Sequence, residues 1–184
     1  MSTETFEQAV TTARGVLANV SQDQLHNSTP CKSWDVSELI NHMVGGHVFF
    51  LAGMTGTPPA ETADFAAGDF VAAYDEATAA TIEAFGADGA LGRMVQMPFG
   101  EMPGAAVMGL ATTDTFQHAW DLAKATGQDA DLAPELAEAL LAQAKQSIPD
   151  SFRGPEGAPF GAQQECGDGA SNADQLAAFL GRTA

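Results

Sequence analysis

Apolar residues recur along this chain at helical rather than strand spacing, in blocks separated by Gly and Pro. That periodicity restricts it to helices packed on helices. From Thr5 to Val20, the residues Phe6, Val10, Ala13, Leu17 and Val20 alternate steps of four and three, which puts them on one helical face. Asp35 opens a second helix, predicted over Val36 to Thr55, because Asp at the N-cap with Glu38 three positions on forms a capping box. A third is predicted from Asp69 to Phe85, with Phe70, Val71, Tyr74, Ala77 and Ile82 inward and Gly86 as its stop. Between Arg93 and Met102 the chain breaks around Pro98-Phe99-Gly100, which suits a small hairpin. A fourth helix is expected from Gly104 to a stop at Gly127. A fifth runs from Pro134, at a position where its missing N–H is harmless, to Ile148, and a short last one from Asn172 to Leu180. Pro149 to Ser171 reads as a long Gly/Pro-rich loop. The expected fold is therefore all-α, a helical bundle. With 184 residues, 45% of them hydrophobic, it is expected to be one domain over 1–184.

Charge narrows the partners. The chain carries 24 Asp and Glu against 7 Lys and Arg, a net charge of −17, so it has no basic stripe for phosphates. Nucleic acid and anionic membranes are excluded as expected partners. The N-terminal residues are acidic and polar rather than basic then apolar, which predicts an unprocessed, cytoplasmic protein. The uncharged stretch from Leu39 to Ala60 could cross a bilayer by length alone, but Asn41, His42, Gly45, Gly46, His47 and two prolines interrupt it. Two cysteines, Cys31 and Cys166, occur in no paired spacing, consistent with a reducing compartment. Homodimerisation through a helix face is compatible with the sequence, as is a monomer.

The fourth helix carries the chemical anomaly. Val107, Leu110, Ala111, Asp114, His118, Asp121, Leu122 and Ala125 share one face, so three polar side chains interrupt an apolar stripe. A carboxylate facing a core is costly unless it is paired, hydrogen-bonded or on a metal. Asp114 and His118, at i and i+4, have the spacing of a metal-ligand pair, and equally of an ordinary helix ion pair. A third ligand would come from the second helix, from His42 or His47. The apolar face of that helix, Val36, Ile40, Met43, Leu51 and Met54, is centred nearer His47, so periodicity does not select His42. Asp121, one turn beyond His118, can orient that imidazole or make an ordinary packing hydrogen bond. Cys31, with Lys32 as its basic neighbour in sequence, reads as packed structure ahead of Trp34. No G-x-S-x-G elbow and no phosphate-binding loop occurs.

Three separated stretches carry a resemblance. Thr29-Pro-Cys-Lys-Ser-Trp-Asp-Val, followed by Leu39 and His42, resembles the first signature of the actinobacterial mycothiol-dependent maleylpyruvate isomerase N-terminal domain and its relatives in the DinB-like superfamily. Asp114 to Gly127, with its His118-Ala-Trp-Asp-Leu-Ala core, resembles the second, and Leu176 to Arg182 resembles the ending of an uncharacterised branch. The resemblance implies a DinB-like four-helix bundle holding a divalent metal through His42, Asp114 and His118, zinc first and nickel or another transition metal next. It implies a mycothiol-type thiol as cosubstrate and a small-molecule electrophile as partner, in a thiol S-transferase or isomerase reaction. The alternative expectation is a non-catalytic metal- or small-ligand-binding bundle. The sequence departs from the isomerase in having Asp114 where that enzyme has Glu, and in the short segment after its fourth helix.

Overall fold

The structure, a computed structural model, describes residues 2–58, 63–154 and 160–183. It is mostly helical with a small two-stranded sheet. Six α-helices appear among the described residues: α1 (Thr3–Leu17), α2 (Val36–Thr55), α3 (Phe70–Gly86), α4 (Gly104–Thr126), α5 (Pro134–Ser147) and α6 (Asn172–Phe179). Strands β1 (Met94–Met97) and β2 (Gly100–Pro103) form an antiparallel hairpin between α3 and α4, pairing Val95 with Met102.

The caps explain the boundaries. The Asp35 carboxylate accepts the Glu38 backbone N–H at 2.9 Å while the Glu38 side chain accepts that of Asp35 at 2.9 Å, closing the expected box. Such a cap stabilises a helix start by about 1 kcal/mol. Gly56 and Gly127, both left-handed, end α2 and α4. Boundaries differ from the sequence reading by a few residues: α1 starts at Thr3 rather than Thr5, and α6 ends at Phe179 rather than Leu180. α1 stops at Leu17, with Val20 beyond its end, α3 includes Gly86 and stops at Ala87, and α5 stops at Ser147 rather than Ile148. The expected loop from Pro149 to Ser171 contains a short 3-10 turn, Asp150–Phe152, and a bridge from Arg153 to Phe160. Its residues 155–159 lie outside the described residues, as do Pro59 and Ala60 of the uncharged stretch. No helix among the described residues is long and apolar enough to cross a membrane.

α1 packs on α4 and α3, and α2 packs on α3 and α4. One core lies between these four helices and the hairpin, with Phe6, Leu39, Ile40, Tyr74, Phe85, Val107 and Leu122 within it. A second core joins α5 and α6 to the far side of α4, around Phe116, Trp120, Leu140 and Leu176. α4 is thus clamped between two cores. This is why most of its circumference is buried rather than the one stripe its periodicity suggested, and why Leu110, near its start, is 40% exposed instead of inward. Fully burying a side chain such as Phe116 stabilises by about 1.5–3 kcal/mol, so both cores contribute to fixing the orientation of α4. Val71 and Ile82 of α3 are only partly buried, and Thr78, Thr81 and Phe85 take inward positions the pattern did not assign.

Candidate metal centre

Helix α2 supplies His42, and α4 supplies Asp114 and His118. Their ligand-type atoms all lie within 4.8 Å of one another. One Asp114 oxygen stands 3.5 Å from His42 Nε2 and 3.5 Å from His118 Nε2. The His42 and Asp114 side chains are 33% and 34% exposed, and that of His118 is 9% exposed. His42 Nε2 is nevertheless buried and has no hydrogen-bond partner among the described residues. A buried imidazole nitrogen without a hydrogen bond, converging with a carboxylate oxygen and a second imidazole nitrogen, is a donor set that fits a divalent ion.

The loop ahead of α2 builds one wall. The Thr29 hydroxyl donates to the Trp34 carbonyl at 2.8 Å and accepts the Cys31 N–H at 3.1 Å, and Trp34 N–H donates to the Cys31 carbonyl at 2.9 Å. These bonds fix a turn that sets the Trp34 ring 4.5 Å from the His42 ring and 5.7 Å from that of His118. The conspicuous Thr29-Pro-Cys31 and Trp34-Asp35 residues therefore have local work to do. They turn the chain, cover two imidazoles and start the helix that carries His42.

Behind His118 lies a second layer of polar groups. The His118 Nδ1 donates to Asp121 Oδ2 at 2.9 Å, which leaves Nε2 as the nitrogen facing Asp114. Asp121 is fully buried and also accepts from Gln117 Nε2 at 3.3 Å, from Arg182 Nε and Nη2 at 3.0 Å each, and from Cys31 Sγ at 3.2 Å. Arg182 Nη2 in turn donates to Cys31 Sγ at 3.3 Å. Arg182 reaches this point because Gly181, at φ +97, takes a left-handed conformation so close to Gly161 that a Cβ would lie 2.7 Å from its Cα. Cys31, His118 and Asp121 form a second cluster of metal-ligand type, but the guanidinium already supplies the positive charge there.

Electrostatics follow from this arrangement. Burial alone would raise the Asp114 carboxyl, but the neighbouring His118 and His42 outweigh it and hold Asp114 well below the usual carboxylate range. Burial works against a charged His118 too, and the Asp114 charge, with hydrogen bonds to Asp114 and Asp121, reverses it and raises the imidazole well above its ordinary value. For Asp121, burial is again outweighed, by His118 and then Arg182, so it is held low as a carboxylate. Two anions flanking His118 leave the centre prepared for positive charge.

The structure brings together all four sequence-predicted residues, His42, Asp114, His118 and Asp121, and leaves His47 elsewhere. His47 is 3% exposed, with its ring 5.8 Å from that of Phe6 and 5.3 Å from that of Tyr74. The expectation that Lys32 is the basic neighbour of Cys31 is corrected: Arg182, 151 residues away, is the cation at the thiol. Trp34 and Arg182 are the site's neighbours that residue patterns did not assign. Both stand in the stretches that carried the resemblance, which was their only signal. Trp120 packs away from the site, donating to Asp174 of α6 at 3.0 Å.

An open cavity of about 400 Å³ adjoins His42 and Asp114, lined also by Asn41, Gly45, Gly46, Phe49 and Phe50.

Helices packed around a His/Asp/His cluster, beside a cavity, define a helical protein with a three-residue candidate metal centre. The chain belongs to the mycothiol maleylpyruvate isomerase N-terminal domain family, whose sequence model matches residues 6–123. Uncharacterized proteins from two strains of Mycobacterium tuberculosis are 46% identical to it over 170 residues, covering 91% of this chain and 90% of theirs. The fold is similar to the crystal structure of the mycothiol-dependent maleylpyruvate isomerase, with a TM-score of 0.61 at 17% identity over 76% of this chain. A crystal structure of a histidine-to-alanine mutant of that isomerase matches at a TM-score of 0.59. The chain spans 66% of that enzyme's length.

Proposed function

We propose that this chain is a metal-dependent thiol S-transferase or isomerase, with a small-molecule thiol such as mycothiol as cosubstrate and a small electrophile as substrate. In this reading α1 to α4 are a DinB-like four-helix bundle, and the whole of 1–184 is one metal-binding domain. The observation that carries it is the convergence of the His42, Asp114 and His118 ligand atoms, all within 4.8 Å of one another, at the wall of a cavity. These three side chains would hold a divalent ion, with zinc the first choice for two imidazoles and a carboxylate. Bound there with a coordination position to spare, the ion would favour the thiolate form of a coordinating thiol at neutral pH.

The chain's own residues do the rest. Asp121 holds the Nδ1 proton of His118, so that a divalent ion would have to displace only the proton on Nε2. Arg182 and Gln117 hold Asp121 in place, and Arg182 keeps it ionised. Trp34 covers one side of both histidines, while Phe49 and Phe50 limit water on the cavity side. A thiolate in such a place is less hydrated than in bulk, which helps it react with carbon.

Elemental analysis of purified protein tests the centre: near-stoichiometric transition metal in the wild type and its loss in His118→Ala are expected. Equal metal in both would overturn it. Thiol consumption on a chromogenic electrophile tests turnover, and a rate no greater than that of free metal plus thiol, across a panel of electrophiles, would leave a non-catalytic metal-binding bundle.

A further inference from the structure

Building on the thiol-transfer reading, we infer that the cavity beside His42 and Asp114 selects an uncharged electrophile with an apolar, ring-sized body and discriminates against carboxylate-bearing ones. Its volume, about 400 Å³, is that of a small-ligand site. Phe49 and Phe50 supply apolar wall, and Gly45 and Gly46 present backbone without side chains. A Cβ at Gly45 would meet nothing within 4 Å, so that side is open space.

Among the described residues of the wall, polar recognition is scarce. Asn41, the one amide on the wall, is engaged at both ends: its Nδ2 donates to Asp64 at 3.0 Å and its Oδ1 accepts the Ala66 N–H at 3.0 Å. None of the seven Lys and Arg lines the cavity. Arg14 is paired with Asp75, Lys124 with Asp174 and Arg182 with Asp121, while Arg93 and Arg153 donate to the Met54 and Phe179 carbonyls. Charge counting gives the same answer for a loaded centre: a divalent ion is offset by Asp114 and one thiolate, so no net positive charge remains for a second anion. A carboxylate entering this cavity would be desolvated without a partner. The net charge of −17, with exposed Asp64 hydrogen-bonded to Asn41, adds long-range repulsion.

The hairpin extends the same surface. Gly53 of α2 faces Met97 so closely that a Cβ would collide with its sulfur, which lets β1 seat directly on α2. The turn of the hairpin then presents Phe99, 59% exposed, with its ring 6.3 Å from that of Phe49. An exposed Phe beside the cavity-lining Phe49 gives a ring-bearing ligand a second face to stack on.

The test uses metal-loaded full-length protein with saturating thiol and two readouts. The first is binding without turnover, by saturation-transfer NMR with benzyl alcohol against benzoate. Benzyl alcohol is expected to bind about tenfold more tightly or better, the scale of leaving a charge unpaired, and to weaken about tenfold in Phe49→Ser. Phe99→Ser, at an exposed position, keeps the test valid where Phe49→Ser misfolds, and a smaller loss of the same sign is expected. Benzoate binding as tightly as benzyl alcohol, or benzyl alcohol binding unchanged in both variants, would overturn the inference. The second readout is turnover of 1-chloro-2,4-dinitrobenzene against 4-chloro-3,5-dinitrobenzoate, each relative to its uncatalysed rate. In both, the thiol sulfur forms a bond to the ring carbon, chloride departs with its electron pair, and the thiol proton goes to solvent. A larger enhancement for the uncharged chloride supports the inference. Enhancement that favours the carboxylate overturns it and leaves thiol transfer standing. No enhancement for either, with the binding preference intact, overturns thiol transfer and leaves the cavity's selectivity standing.

Discussion

His42 and His47 lie five residues apart on α2, about 140° around the helix, and that rotation separates two kinds of histidine. His42 faces the cavity, with its Nε2 3.5 Å from an oxygen of Asp114. His47 points into the core between Phe6 and Tyr74, where burial lowers its pKa to about 4 and keeps it neutral. Its Nε2 lies 3.4 Å from the Thr115 hydroxyl. The lesson is that the centre of an apolar stripe finds the packing histidine. A candidate ligand sits at the edge of the stripe, where a second helix can bring it partners.

The largest expected effect breaks the comparison outright. Substituting His42 or His118 by Ala should reduce bound metal from near one per chain to a trace, whereas His47→Leu should retain it, as elemental analysis after desalting will read. Equal loss in His47→Leu would mean that both histidines serve the centre. Next comes Arg182→Met, which leaves Asp121 buried with its cationic partner removed. Such a loss costs about 3 kcal/mol, and denaturant unfolding of the variant should show it, while an unchanged midpoint would remove Arg182 as the support of Asp121.

A smaller change should follow from Asp121→Asn. It keeps the shape beside His118 but weakens the hold on its Nδ1 proton, and metal affinity should fall about 10–100-fold, measured by competition with a chelating dye. His47 has no such partner, so no substitution around it should act this way. The smallest effect is a pH dependence. The folded-state pKa of His47, about 4, lies below its ordinary 6.5, so the unfolded chain takes up the proton first as pH falls. Stability from this group is therefore complete above pH 6.5 and is lost as pH drops through the window between the two values. At about pH 5.5 the loss is about 1 kcal/mol, or a melting shift of about 2–4 °C. Comparing melting of the wild type and His47→Leu between about pH 7.5 and 5.5 reads this, and parallel shifts in the two would contradict it.

Much of the helical framework was legible because its signals are local. The Asp35 and Glu38 box, the Pro134 start and the Gly127 stop act within one turn, and the observed boundaries follow them closely. Where boundaries slipped, as at Val20, the apolar pattern outlasted the helix, because a residue can pack against a core from the loop beyond it. The candidate site was half legible. Asp114, His118 and Asp121 share one face of one helix, so 3.6-residue periodicity alone groups them, and Asp121 became readable as a partner of His118 from spacing alone. His42 was chosen over His47 only through resemblance, since both are on one helix and its apolar face is centred nearer His47.

The sequence by itself determined the helices, the hairpin turn and the i, i+4 pair of Asp114 and His118, since these depend on caps and periods within a few residues. Only the tertiary structure decided which face of α2 meets that pair, that α4 is buried from two sides, and that Arg182 closes on Asp121 and Cys31. Those contacts join residues 61 and 151 positions apart. They depend on how two cores orient α4 and on the turn at Gly181, and no local rule acts over such a separation.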